Sequence, residues 1–305
     1  MKLKTYVIII LALVTGSLFD SLSQVKYLIP YIIVYLLLLN FTKVTLSFKD
    51  LLKKEVLVTI GLSGIVMPFI TWYIVSWQAT LELKYGLLLL SIAPSGIMML
   101  VLSKYVHPVE KSLIVVNFFI THLASIILIP VVINHFIGTN IKLNLGGLII
   151  KTMFMVGTPL IMSFFLKLNF FRIVKLVFVS SEKIILPLAI FFVISIAVAS
   201  ASDKIGFSWV LPEVFARVLL IYLIQGSLGF LCGWFFFKKL SVVNTLTLIS
   251  SSRNSQFMLA ISALYFSSFV GMVIVIGVFA HHITNAFWIF LLTKRVKSYH
   301  LREKH

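Results

Sequence analysis

Long apolar runs, each closed by charges or turn residues, recur along the whole chain. They lie near positions 5–19, 27–42, 55–76, 84–105, 109–135, 146–166, 184–200, 211–237, 242–266 and 268–293. Most approach the roughly 20 residues that a helix needs to cross a hydrocarbon core about 30 Å thick. In lipid only a helix satisfies its own backbone hydrogen bonds strand by strand, so the pattern predicts an all-α, polytopic membrane protein of about ten transmembrane helices. The first run follows Met1-Lys2-Leu3-Lys4 in the manner of a secretion signal. Its end, Gly16-Ser17-Leu18-Phe19-Asp20, offers no Ala-x-Ala type cleavage site and further spans follow at once, so it is expected to be a retained first helix.

The spacing of the runs repeats. The second to fifth recur as the seventh to tenth at an offset of roughly 157 to 159 residues, while the first pair fits less well. Five is an odd number of crossings, so a second copy of a five-helix unit enters the membrane from the other side. The expected organisation is two inverted repeats, residues 1–140 with spans 1 to 5 and residues 141–305 with spans 6 to 10, from both of which panel and core domains are assembled. In such folds the binding site lies near the midplane, where a helix of each half is interrupted.

Composition agrees with the pattern: 60% of residues are apolar, 11% are charged, and the mean hydropathy is +1.11. The net charge of +17 sorts by side. The N-terminus, the loops near 43–54, 104–111, 167–183 and 238–239, and the C-terminal tail carry 19 of the 26 Lys and Arg. The opposite loops hold Lys26, Lys84, Lys142 and Lys204. Basic loops stay in the cytoplasm, so both termini are expected there, with the chain in the inner membrane and its charge facing anionic headgroups. Basic residues scattered over separate short loops do not make a nucleic-acid face. The one cysteine, Cys232, excludes an internal disulfide and any cysteine-based metal site.

Each half has one candidate interruption, at corresponding places. In the fourth span it is Ala93-Pro94-Ser95-Gly96, where Pro94 lacks a backbone donor and Gly96 permits an unusual turn. In the ninth it is the polar run Ser250-Ser251-Ser252-Arg253-Asn254-Ser255-Gln256. With Asn285 in the tenth span, these segments resemble the bile acid:sodium symporter family, part of a superfamily that includes arsenite, riboflavin and auxin carriers. The resemblance implies a four-helix panel, a six-helix core in which the two broken helices cross, and a substrate bound between panel and core.

The same comparison exposes departures. A Ser-Asn pair that helps hold sodium in the family falls on Met99 and Leu100 here, and a sodium-binding Glu falls on Ile249, or on Ser250 after a one-residue slip. What stands in the second interruption is Arg253. An arginine at membrane depth costs several kcal/mol unless it meets an anion or an acceptor network. Together with the partial positive charge of helix N-termini, it makes the site suited to a carboxylate, sulfate or phosphate. Two roles for Arg253 stay open: contact with substrate or replacement of the bound cation on one side, capping of the broken helices' carbonyl ends on the other.

The expected substrate and ion-binding set is Pro94, Ser95, Gly96, Asn117, Thr121, His122, Ser251, Ser252, Arg253, Asn254, Gln256 and Asn285, with no metal ligand and no cofactor. Asn117, Thr121 and His122 share one arc of the fifth span. Sodium or a proton is the coupling ion if there is one, with His122, and after it His281 or His282, as the proton-bearing groups; a packed core histidine is the default for each. Glu213 and Arg217 are spaced for a helical ion pair. Trp72, Trp77, Trp209 and Trp288 are expected mostly at span ends, where indole rings anchor to headgroups. No His-Glu-x-x-His, Gly-x-Ser-x-Gly or Gly-x-x-x-x-Gly-Lys-Ser/Thr motif is present, which leaves catalysis without its groups. The sequence therefore reads as a secondary transporter of a small organic anion working by alternating access in the lipid bilayer. An exporter like the auxin or arsenite carriers, or a non-transporting membrane sensor with the same fold, is the alternative.

Overall fold

The computed structural model of the protein describes residues 3–44, 53–96, 98–138, 144–168, 176, 178–202 and 210–302. Among them there is helix in every one of the ten apolar runs and no strand. The first half contains α1 (Leu3–Leu18), a 3₁₀ stretch (Asp20–Leu28), α2 (Ile29–Lys43), α3 (Lys54–Val75), α4 (Leu81–Ile92), α5 (Met98–Leu102) and α6 (Lys111–Ile137). The second contains α7 (Leu145–Lys167), α8 (Glu182–Ser202), α9 (Val210–Cys232, prolonged by a π turn over Gly233–Phe237), α10 (Leu240–Ser251), α11 (Ser255–Tyr265) and α12 (Ser268–Arg302).

Among the described residues seven stretches are long and apolar enough to cross a membrane: Asp20–Lys43, Lys54–Val75, Lys111–Ile137, Leu145–Lys167, Glu182–Ser200, Leu211–Phe237 and Ser268–Arg295. Helix α1 has 16 residues. The predicted fourth and ninth spans are each two short helices, α4 with α5 and α10 with α11, separated by a break. Side chains such as Ile127, Ile150, Met153, Phe164, Phe236 and Phe290 project outward, exposed to 60% or more. An apolar outer surface of this extent belongs in lipid. The chain is a multi-pass membrane protein.

The helices sort by what they touch. Helix α1 packs on α8 and α2 packs on α7, while α4, α9, α10 and α11 gather around or against the long α12. Close approach in the second group relies on glycine, as at Gly229 of α9, where a Cβ would fall 2.5 Å from the Leu246 carbonyl oxygen and 2.6 Å from Ser250 Oγ of α10. Helix α3 contains two π turns, Leu62–Val66 and Thr71–Val75, on either side of a short α segment with Pro68. Such local widening of a helix is frequent where it carries functional side chains. The predicted Glu213 and Arg217 pair is present, Nε to Oε1 at 2.9 Å, and Arg217 also donates to the carbonyls of Val75 and Trp77, tying α9 to the end of α3. Trp288 departs from the span-end expectation. It is buried in mid-helix over Gly226, whose missing side chain makes room for the ring, whereas Trp77 is exposed beyond α3. Trp209 lies outside the described residues.

Candidate transport site

Local chemistry makes both breaks short. Pro94 has no N–H to continue the helical ladder and disfavours helical geometry in the residue before it, and Ala93 is extended, with ψ at 135°. Helix α4 therefore stops at Ile92. In the second break the helix runs on through Ser250 and Ser251, and only residues 252–254 open. Asn254 Oδ1 then accepts the Phe257 N–H at 3.1 Å and starts α11 as its N-cap. Ser250, Ser251, Ser255 and Gln256, read from the sequence as interruption, are helical.

The two breaks hydrogen-bond to each other. The Gly96 N–H donates to the Ser252 carbonyl at 2.9 Å and the Asn254 N–H donates to the Pro94 carbonyl at 2.7 Å, with Ser95 opposite Arg253 in antiparallel register. Backbone groups that leave a helix at membrane depth must find such partners. Glycine at 96 lets the two backbones meet, since a Cβ there would already stand 3.2 Å from the Arg253 carbonyl oxygen.

A buried polar network supports the crossing from two sides. From α6, Asn117 Nδ2 donates to Ser95 Oγ at 2.7 Å, while its Oδ1 accepts from the Thr59 hydroxyl of α3. Thr121 Oγ1 accepts the Ser95 N–H at 3.1 Å and donates to the Asn117 carbonyl at 2.7 Å. His122 Nδ1 donates to the Phe118 carbonyl at 2.7 Å, which leaves Nε2 to accept from Asn254 Nδ2 at 2.9 Å. From the other side, Ser251 Oγ bonds Asn285 Oδ1 at 3.3 Å, Ser252 Oγ meets His281 Nε2 at 3.2 Å, and Tyr222 bonds Ser255 at 2.9 Å.

Arg253 sits inside the crossing, 2% exposed. Its Nη1 donates to Ser63 Oγ of α3 at 2.8 Å and to the carbonyl of Ala93, at the C-terminal end of α4, at 3.3 Å. Its Nε has no partner, and among the described residues no carboxylate pairs with it.

One face of the crossing opens into a cavity of about 320 Å³. The crossing contributes Gly96, Arg253, Asn254, Ser255 and Gln256, and α5 adds Leu100 beside them. The opposite wall comes from α2 (Leu36, Asn40, Lys43) and α8 (Glu182, Leu186, Ile190), and α12 closes one side with His281 and His282. Lys43 and Glu182 form an ion pair. With those two charges matched, Arg253 leaves the lining with a net positive charge.

The model of the sodium bile acid symporter family matches residues 27–208, more than half of the chain. The protein belongs to this family. The match includes the first break and ends before the second, so Arg253 and its surroundings lie beyond the matched stretch. No curated protein matches the chain.

In this symporter-family protein the twelve residues expected at the site fall into two groups. Gly96, Arg253, Asn254 and Gln256 line the cavity. Pro94, Ser95, Asn117, Thr121, His122, Ser251, Ser252 and Asn285 stand at or behind the crossing and build or brace it. Of the positions aligned with family sodium ligands, Met99 and Ile249 are fully buried in the apolar core and Leu100 faces the cavity. Sequence reasoning missed Thr59 and Ser63, which meet the crossing from α3, and Asn40, Lys43 and Glu182 on the far wall. The four-residue spacing of Thr59 and Ser63, close to Gly61, Gly64 and Pro68, was the available signal.

Proposed function

We propose that this protein carries a small organic anion across the inner membrane by alternating access, with the cavity on the crossing as its binding site. The observation that carries the reading is the pairing of the two breaks at the base of a cavity whose other wall belongs to α2 and α8. A ligand there touches both helix groups at once, so movement of one group against the other changes its access. The group of α1, α2, α7 and α8 acts as the panel and the remainder as the core.

The geometry of the pairing favours two inverted repeats and ten crossings. Ser95 and Arg253 stand 158 positions apart, within the interval that relates the apolar runs of the two halves. Exchanging the halves by that interval converts the bond from Gly96 to Ser252 into the bond from Asn254 to Pro94. By order along the two halves, though not by that interval, the contact of α1 with α8 corresponds to that of α7 with α2. The cavity reaches Lys43 and Glu182, on the side where the basic loops lie, so in this conformation it opens toward the cytoplasm, where both termini also stand.

The preference for an anion follows from the lining. Arg253 supplies its net charge, and Ser255 and Gln256 stand in the first turn of the 11-residue α11, where backbone N–H groups carry partial positive charge. The test is uptake by proteoliposomes of radiolabelled small carboxylates and of their neutral amides. Carboxylates are expected to enter and amides to be excluded; equal entry of both, or of neither, contradicts the proposal.

A further inference from the structure

The family's name implies sodium, and the donor set at the crossing does not fit it. A small hard cation requires a shell of oxygen ligands, commonly with a carboxylate among them. Here one oxygen from α3 and one from the end of α4 at the crossing, Ser63 Oγ and the Ala93 carbonyl, are already taken by the Arg253 guanidinium at 2.8 and 3.3 Å. Among the described residues no carboxylate neutralises that charge. The C-terminal ends of α4 and α10 both arrive at the crossing, and helix C-termini favour a cation. Arg253 provides one covalently. A second cation about 4 Å away at an effective dielectric of about 20 has its binding weakened roughly a thousandfold.

We infer that Arg253 is a resident cation that holds the two broken helices together, and that anion transport by this chain does not use sodium. The inference rests on the carrier reading for its second half only. Whether Arg253 is the resident cation is read from thermal unfolding of the purified full-length protein, in sodium chloride against choline chloride. The wild type is expected to unfold at the same temperature in both; stabilisation by sodium that saturates with concentration overturns the inference.

Arg253→Ala removes the guanidinium and leaves its acceptors open. It is expected to unfold at lower temperature and to be restored in part by guanidinium at concentrations too low to denature, or by sodium, and not by choline. An Arg253→Ala protein as stable as the wild type, or one that no cation restores, also contradicts it. If that variant cannot be purified, the wild-type comparison still decides. Uptake of radiolabelled carboxylates is expected to be equal in sodium and in choline, and a fall on removing sodium overturns the transport half. Absence of uptake in both salts counts against the carrier reading and leaves the unfolding result standing.

Discussion

Asn117 is bonded at both ends of its amide, to Ser95 in the first break and to Thr59 on α3, and it is fully buried. Its replacement by alanine takes the partner from Ser95 Oγ where water cannot reach it and leaves the Thr59 hydroxyl with the Val56 carbonyl of its own helix alone. Asn117→Ala is expected to cost about 1–3 kcal/mol and to lower the unfolding temperature in detergent. An unchanged unfolding temperature would mean that the crossing does not depend on this brace. Asn117 was legible in the sequence because polar residues four apart on an apolar helix stand out, and Thr121 was legible for the same reason. Thr59 and Ser63 were not, because hydroxyls at membrane depth are satisfied by their own helix: Thr59 also bonds the Val56 carbonyl and Ser63 the Thr59 carbonyl. Only the fold reveals which of the many hydroxyls have a second partner. Trp288 misled in the opposite direction, since its place near the end of an apolar run does not reveal the glycine beneath it.

At the scale of elements, the positions of both breaks were readable because proline and a run of polar residues interrupt otherwise apolar segments. Their extent was not. Ser251 continues the helix with its hydroxyl on the Leu248 carbonyl and Asn285, and Ser250 continues it with no partner for its hydroxyl, so the second break contracts to the three residues that Asn254 ends by capping α11. A second junction ties the start of α6 to the start of α10. Glu110 accepts from Lys239 Nζ and from Ser241 Oγ, both at 2.7 Å, its backbone N–H donates to Thr245, and Asn244 donates to the Pro108 carbonyl. The hydrogen bond from Lys239, followed by that from Ser241, holds the Glu110 carboxyl below its ordinary value of 4.5. Folding therefore favours the ionised form. The contribution of this junction is fully present above the ordinary carboxylate value and is lost as pH falls through the depressed one. The unfolding temperature of the wild type is expected to fall more steeply on acidification below pH 4.5 than that of Glu110→Gln. Lys239 is largely exposed, so the difference is small and shrinks in high salt. Parallel pH curves for the two proteins would show that the junction is held by its neutral hydrogen bonds alone.

For the molecule as a whole, the apolar runs and the bias of basic residues were sufficient to read an all-helical membrane protein. The family followed from the two interrupted spans. What the sequence could not supply is which faces meet: that the breaks bond each other, that α2 and α8 form the far wall, and that Arg253, in the lining of the cavity, is held by the Ser63 hydroxyl and the Ala93 carbonyl. These depend on contacts between residues more than a hundred positions apart, and no local pattern records them. The central claim is that the cavity at the crossing is open to each side of the membrane in turn, as a carrier requires and a sensor does not. Its most direct measurement is maleimide labelling of Leu100→Cys in a Cys232→Ser background, in inside-out and right-side-out vesicles. Labelling is expected from both sides, faster from the cytoplasmic face under the proposed orientation. Labelling from one side alone, however long the exposure, would contradict the account.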